Sequence, residues 1–282
     1  MRRWQNGLAM VCALAWCVGC GGATPTPRSA AAPAASVDPA AFLERVGAES
    51  TALLQRPSLS LDELEAARVE ARGQERRQAT RNLVVGLMFA AQDAEGRDAR
   101  RHRRRADRLA DATVRGSRDR DLAAEIAFVK LWMAWRSGAR NAARLAERFT
   151  ERHTRSGQLV ALAWMVRGEI AFDEERHEDA VAAWRFAFGQ IGTPLYAYAL
   201  YRTASARQAL GQADEAEQAL AEVEQLGCDA EAHAEIRRVS LAAASENGRG
   251  MRVDVDGVTR PAACPVPSED DEEEEQGWRP AE

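Results

Sequence analysis

Along most of this chain apolar residues recur at helical spacing, and the runs of β-branched residues expected of buried strands are missing. Start and stop signals come in series. Asp38-Pro39 is an N-cap followed by proline in the first turn, and Ser60 with Glu63 has the spacing of a capping box. Breaks fall near Pro57, around Gly96, at Gly116-Ser117, Gly138 and Gly157, over the DEERHED stretch 173–179, at Gly192-Thr193-Pro194, Gly211 and Gly227. Between them lie segments of roughly 12 to 18 residues, plus one longer stretch from Ser60 to about Gln92. Helices joined by such short turns lie antiparallel to their neighbours, so the expectation is an all-α protein of stacked helical hairpins.

Two hairpins share one pattern. Trp164, Gly168, Ala180, Trp184 and Ala187 recur, at an offset of about 36 residues, as Leu200, Ala204, Ala216, Leu220 and Val223. Small residues where two helices cross let the axes approach to about 8–10 Å, while a large neighbour fills the adjoining groove. The pattern resembles the tetratricopeptide repeat, whose small residues hold its eighth, twentieth and twenty-seventh places. The resemblance is clearest over 161–194 and 197–230. A degenerate unit lies over roughly 120–155 around Gly138, and a further hairpin from Thr80 to Thr113. It implies a right-handed α-solenoid over 42–247, in which the polar segment 229–248 caps the stack.

In that family the first helix of each hairpin lines a concave groove. The resemblance therefore places Leu162, Met165, Glu169, Phe172, Tyr198, Tyr201, Ser205 and Gln208 toward a protein or peptide partner, or alternatively in contacts between neighbouring repeats. Phe128, Trp132 and Trp135 are expected in the core.

The N-terminus adds an address. Arg2 and Arg3 precede an apolar stretch from Leu8 to Val18, too short to span a bilayer comfortably, and small residues surround Cys20. This resembles the lipobox of bacterial lipoproteins, which implies a signal peptide over 1–19, lipidation of Cys20 and attachment to the outer membrane facing the periplasm. Cys17, where the family usually has Leu, departs from the pattern, and ordinary secretory cleavage giving a soluble periplasmic or secreted protein is the alternative. Residues 20–41, rich in Gly, Ala, Pro, Ser and Thr, read as a flexible linker with a reach of roughly 25 Å. Residues 248–267 read as an irregular or β return segment, and 268–282 as a disordered acidic tail.

The net charge of −5 hides a segregation of sign. Arg97, Arg100, Arg101, Arg103, Arg104, Arg105 and Arg108 crowd one segment with Asp98 and Asp107 interleaved, while Glu269 to Glu275 is an unbroken run of acids. The arginines wrap around a helix and read as a solvated surface, or as a contact for anionic headgroups, a phosphate-rich glycan or the acidic tail. Nucleic acid is disfavoured, because interleaved aromatics that would stack bases are absent. Cys228 and Cys264 form an even pair that could bridge in an oxidising compartment.

His102, His153, His177 and His233 are scattered without HExxH spacing, so neither metal nor cofactor is expected. The nucleophile elbow, phosphate loop and dinucleotide fingerprint are missing. The expectation is a lipid-anchored envelope scaffold that binds a protein or peptide in the assembly of an envelope machine and is not an enzyme. The alternative is an enzyme or binder acting on peptidoglycan or glycan through groove carboxylates such as Glu169.

Overall fold

The computed structural model describes residues 37–116, 118–154, 157–187, 192–229, 232–254 and 257–265. The signal segment, Cys20, most of the linker and the acidic tail lie outside these residues.

Among the described residues the chain is mostly helical. The first helix, α1 (Pro39–Ser50), starts three residues before the expected domain boundary, because the Asp38 carboxylate accepts from the Ala40 N–H at 3.0 Å and Pro39 fits the first turn. A short 3₁₀ turn, Ala52–Leu54, follows. At α2 (Leu61–Glu70) both halves of the capping box form: Glu63 N–H donates to the Ser60 hydroxyl, and Ser60 N–H to the Glu63 carboxylate.

The long stretch from Ser60 is two helices. α3 (Gly73–Asp93) begins at Gly73 with φ +55°, a left-handed conformation that glycine adopts without strain, and there the chain reverses. α2 then packs back on α3, where Gly86 admits it: a Cβ at that position would lie 2.6 Å from the Leu64 side chain. The sequence signal for this break is weak, since Ala71, Arg72 and Gly73 contain no proline or turn dipeptide.

Pairs of helices continue from there as α3 with α4 (Gly96–Gly116), α5 (Arg120–Arg136) with α6 (Ala142–Arg152), α7 (Gly157–Asp173) with α8 (His177–Trp184), and α9 (Pro194–Ala209) with α10 (Ala213–Leu226). The last, α11 (Ala234–Glu246), is shorter than the capping segment expected over 229–248 and starts where His233 Nδ1 accepts from the Glu235 N–H. From α2 onward each helix packs on the next, and α3 also touches α5, α5 touches α7, and α9 touches α11.

Burial divides the pairs. α5, α7 and α9 are buried nearly all round, with Ile126, Phe128, Trp132, Leu162, Met165, Leu195 and Tyr198 inside. α4 buries only the small side chains Ala99, Ala106 and Ala110, and α6 buries Ala142, Ala146, Phe149 and Thr150. The first members are thus the inner layer and α4 and α6 amphipathic covers, as expected of a helix whose apolar stripe is narrow. Phe128 and Trp132 are in the core; Trp135 is only partly buried.

The return segment forms a two-stranded antiparallel hairpin, β1 (Met251–Val253) with β2 (Thr259–Pro261), in the register Met251 to Pro261 and Val253 to Thr259. It lies on α11. A disulfide joins Cys228, just beyond α10, to Cys264, just beyond β2, with the Cα atoms 5.1 Å apart. The Arg260 guanidinium donates to the Cys228 carbonyl at 2.7 Å and pairs with Asp254 at 2.6 Å, clamping the same corner. Closing a loop of this size restricts the unfolded chain, so reduction is expected to cost about 2–4 kcal/mol. Urea unfolding with and without reductant measures this; superimposable curves mean that the bond is not formed in the protein as isolated.

Candidate functional site

The repeat pattern has a direct physical meaning. Trp184 is fully buried, and its indole N–H donates to the Met165 carbonyl at 3.3 Å. It lies so close to Gly168 that an added Cβ would meet Nε1 at 2.2 Å. Ala180 is fully buried beside it, and the equivalent Ala204, Ala216, Leu220 and Val223 of the next hairpin are all buried. Trp164 behaves differently: it is partly exposed, stacks on Phe186 at 3.9 Å and carries the Arg167 guanidinium 4.7 Å from its ring centre.

The residues expected to line a partner groove come together on the inner helices, but that surface is closed. Leu162, Met165, Glu169, Tyr198 and Tyr201 are buried, Phe172 and Ser205 partly so, and only Gln208 is exposed. The cover is α1. Phe42 stacks on Tyr198 at 4.3 Å, and Phe42 and Leu43 are completely buried. Gly47 faces Leu162: a Cβ there would be 3.5 Å from the leucine Cδ1.

Ion pairs fix the two edges of α1, with Glu44 on Arg136 of α5 at 3.5 Å and Arg45 on Glu235 of α11 at 2.7 Å. At its end Glu49 meets His233 at 3.1 Å. One helix therefore touches α5, α7, α9 and α11 in turn. The sequence carried a sign of this in Phe42, Leu43 and Val46, an apolar edge on a capped helix whose own length offers it nothing to pack on.

Three carboxylates of this region are held by arginines. Glu169 accepts from Arg202 Nη2 at 2.8 Å and Nε at 3.1 Å, and from the Tyr198 hydroxyl at 3.3 Å. Burial pushes the Glu169 carboxyl above its ordinary value, with Arg202 pulling it back. The Arg202 guanidinium lies 4.3 Å from the Phe172 ring and 5.4 Å from that of Trp184. Glu224 accepts from Asn247 at 3.0 Å and Arg249 at 3.1 Å, and Glu235 from Arg45. Glu169 thus fastens α7 to α9 and does not stand free as an acid or base.

The remaining candidates are peripheral. A cavity of about 560 Å³ lies between α6, α7 and α8, walled by Trp164, Arg167, Phe186 and Arg144. His177 opens α8 and packs 5.1 Å from Phe172, and the His153 ring lies tilted against Phe149 at 4.9 Å. Among the described residues no three His, Cys, Asp or Glu gather as a metal site, and no helix is long and apolar enough to cross a membrane.

The arginine segment forms α4, and burial sorts its residues. Arg97, Arg100, Arg101, Arg104 and Arg108 are exposed, whereas Arg105 turns back to pair with Glu65, and Arg103 is half-buried at a cavity that Met88 and Gln92 also line. The seven are therefore not evenly wrapped: the free ones share a face, because contacts with α2 and α3 take up the others.

No protein-family model, curated protein or solved structure matches this chain.

Proposed function

We propose that this chain is a lipid-anchored envelope scaffold, a right-handed tetratricopeptide-like solenoid whose inner face binds a helix of another envelope protein. In this reading residues 1–19 are the export signal, Cys20 carries the lipid and 268–282 is an acidic tail. The observation that carries it is the way α1 is seated across α5, α7, α9 and α11, with Phe42 on Tyr198 and Arg45 on Glu235. This is helix-in-groove recognition, in which apolar anchors on one helix face enter a hydrophobic trough and edge charges set the register. In this reading the chain's own N-terminal helix occupies the place of a partner helix, and a partner with the same anchors would compete with it.

The test uses the full chain. A Phe42→Ala/Leu43→Ala variant that keeps its helical circular dichroism is expected to bind a labelled synthetic peptide of residues 37–51, whereas the wild type, whose groove is filled, binds it at least about tenfold more weakly. A folded variant that ignores the peptide sinks the groove reading.

A further inference from the structure

The exposed arginines of α4 form one ridge. Arg97, Arg101, Arg104 and Arg108 follow at intervals of four, three and four residues, which sets them along a single line of an α-helix, and Arg100 stands beside Arg97 and Arg104. That line runs for about 16 Å. All five are exposed and none has an ion-pair partner among the described residues.

The nearby acids do not neutralise it. Asp111 lies further along the same line but is paired with Lys130 at 2.5 Å, and Asp98 and Asp107 lie to the two flanks. Arg105, Arg136, Arg202 and Arg249 are each engaged by a carboxylate, whereas these five stand unpaired in one row.

Past Arg108 the ridge reaches Arg115, which stands at the mouth of a cavity of about 320 Å³ between α4, α5 and α6. Arg148 and Arg152 line it with the paired Lys130 and Asp111, leaving it a basic surplus, and its apolar lining includes Leu145, Phe149 and Val114, the last 38% exposed. The ligand must therefore be anionic, extended and flat enough to meet a convex row, and apolar at one end. An acidic peptide meets the first condition but leaves the apolar end of the site without an occupant. A phospholipid surface meets all of them, since arginine forks pair with phosphate oxygens and hydrocarbon lies directly beneath the phosphates.

We propose that the Arg97–Arg108 ridge of α4 docks on the anionic surface of a lipid bilayer, with the basic-rimmed cavity beside it receiving the apolar part of a lipid. The contact would fix which side of the helical stack faces the membrane. It requires neither the lipid on Cys20 nor an occupied groove.

The test uses residues 21–282, the mature chain of the proposed reading without Cys20, so that neither a lipid anchor nor the apolar stretch Leu8–Val18 contributes. Sedimentation is measured with vesicles of phosphatidylglycerol and phosphatidylcholine, and with phosphatidylcholine alone. The chain is expected to sediment with the anionic vesicles only, at low salt, and an Arg97→Gln/Arg101→Gln/Arg104→Gln/Arg108→Gln variant to lose about tenfold or more of that binding with unchanged thermal unfolding. The four-lysine variant should keep most of it. Equal binding of wild type and glutamine variant, or no binding by either, overturns the proposal. So does binding that appears only after deletion of 268–282, which would make the acidic tail the ridge's occupant.

Discussion

An Arg202→Ala variant is expected to lose about 3–5 kcal/mol of stability, the cost of breaking a buried ion pair and leaving one charge behind. Glu169 is almost completely buried, and its side chain meets Arg202 through two nitrogens. With the guanidinium gone, the Tyr198 hydroxyl would be the one remaining hydrogen-bond donor to that carboxylate, at 3.3 Å. The packing of the guanidinium against Phe172 and Trp184 goes with it, so the loss is of contact area as well as charge.

The deficit should depend on pH in a defined sense. Burial already raises the Glu169 carboxyl, and Arg202 is the main group pulling it down. Without Arg202 the folded value rises further above the unfolded one, so the fold favours the protonated acid. The deficit is then smallest below the unfolded carboxyl value and grows as pH rises through the folded value. Urea unfolding between pH 4 and pH 8 reads this directly. The paired Glu169→Gln/Arg202→Met variant should recover much of the loss, because both charges leave together. An Arg202→Ala deficit under about 1 kcal/mol at pH 7 would mean that water reaches the pair and that it does not fasten α7 to α9.

The helical class was legible because caps are local: Asp38, Ser60 with Glu63, and Thr193-Pro194 start helices where short-range hydrogen bonds require it. The hairpin of α7 with α8 was legible because Gly168 marks a close approach that no larger side chain permits, with Ala180 and Ala204 completely buried nearby. What the chain could not disclose is long-range. Tyr198 and Tyr201 look like groove anchors in isolation, and only a helix about 150 residues earlier in the chain closes over them. Likewise, helical spacing sets five of the seven arginines on one side of α4, but that this side is the open one depends on where α2 packs, with Glu65 taking up Arg105.

The contact at Gly168 yields the second large effect. Trp184→Ala is expected to cost about 3–5 kcal/mol, since it removes a wholly buried indole from between two hairpins. Gly168→Ala in the otherwise unchanged chain should cost about 1–3 kcal/mol through overpacking, because the new methyl would sit 2.2 Å from Nε1 and 2.4 Å from Cδ1 of a ring with nowhere to go. The two changes together test the mechanism by sign. Once the indole is absent the clash is absent too, and what remains is the ordinary preference of a helix interior for alanine over glycine, about 1 kcal/mol. Gly168→Ala should therefore destabilise the wild type and stabilise the Trp184→Ala background, a coupling larger than either contact between distant sites would give. If it destabilises both backgrounds alike, glycine is required at 168 for some reason other than the close approach of Trp184, and the packing account of this repeat position fails.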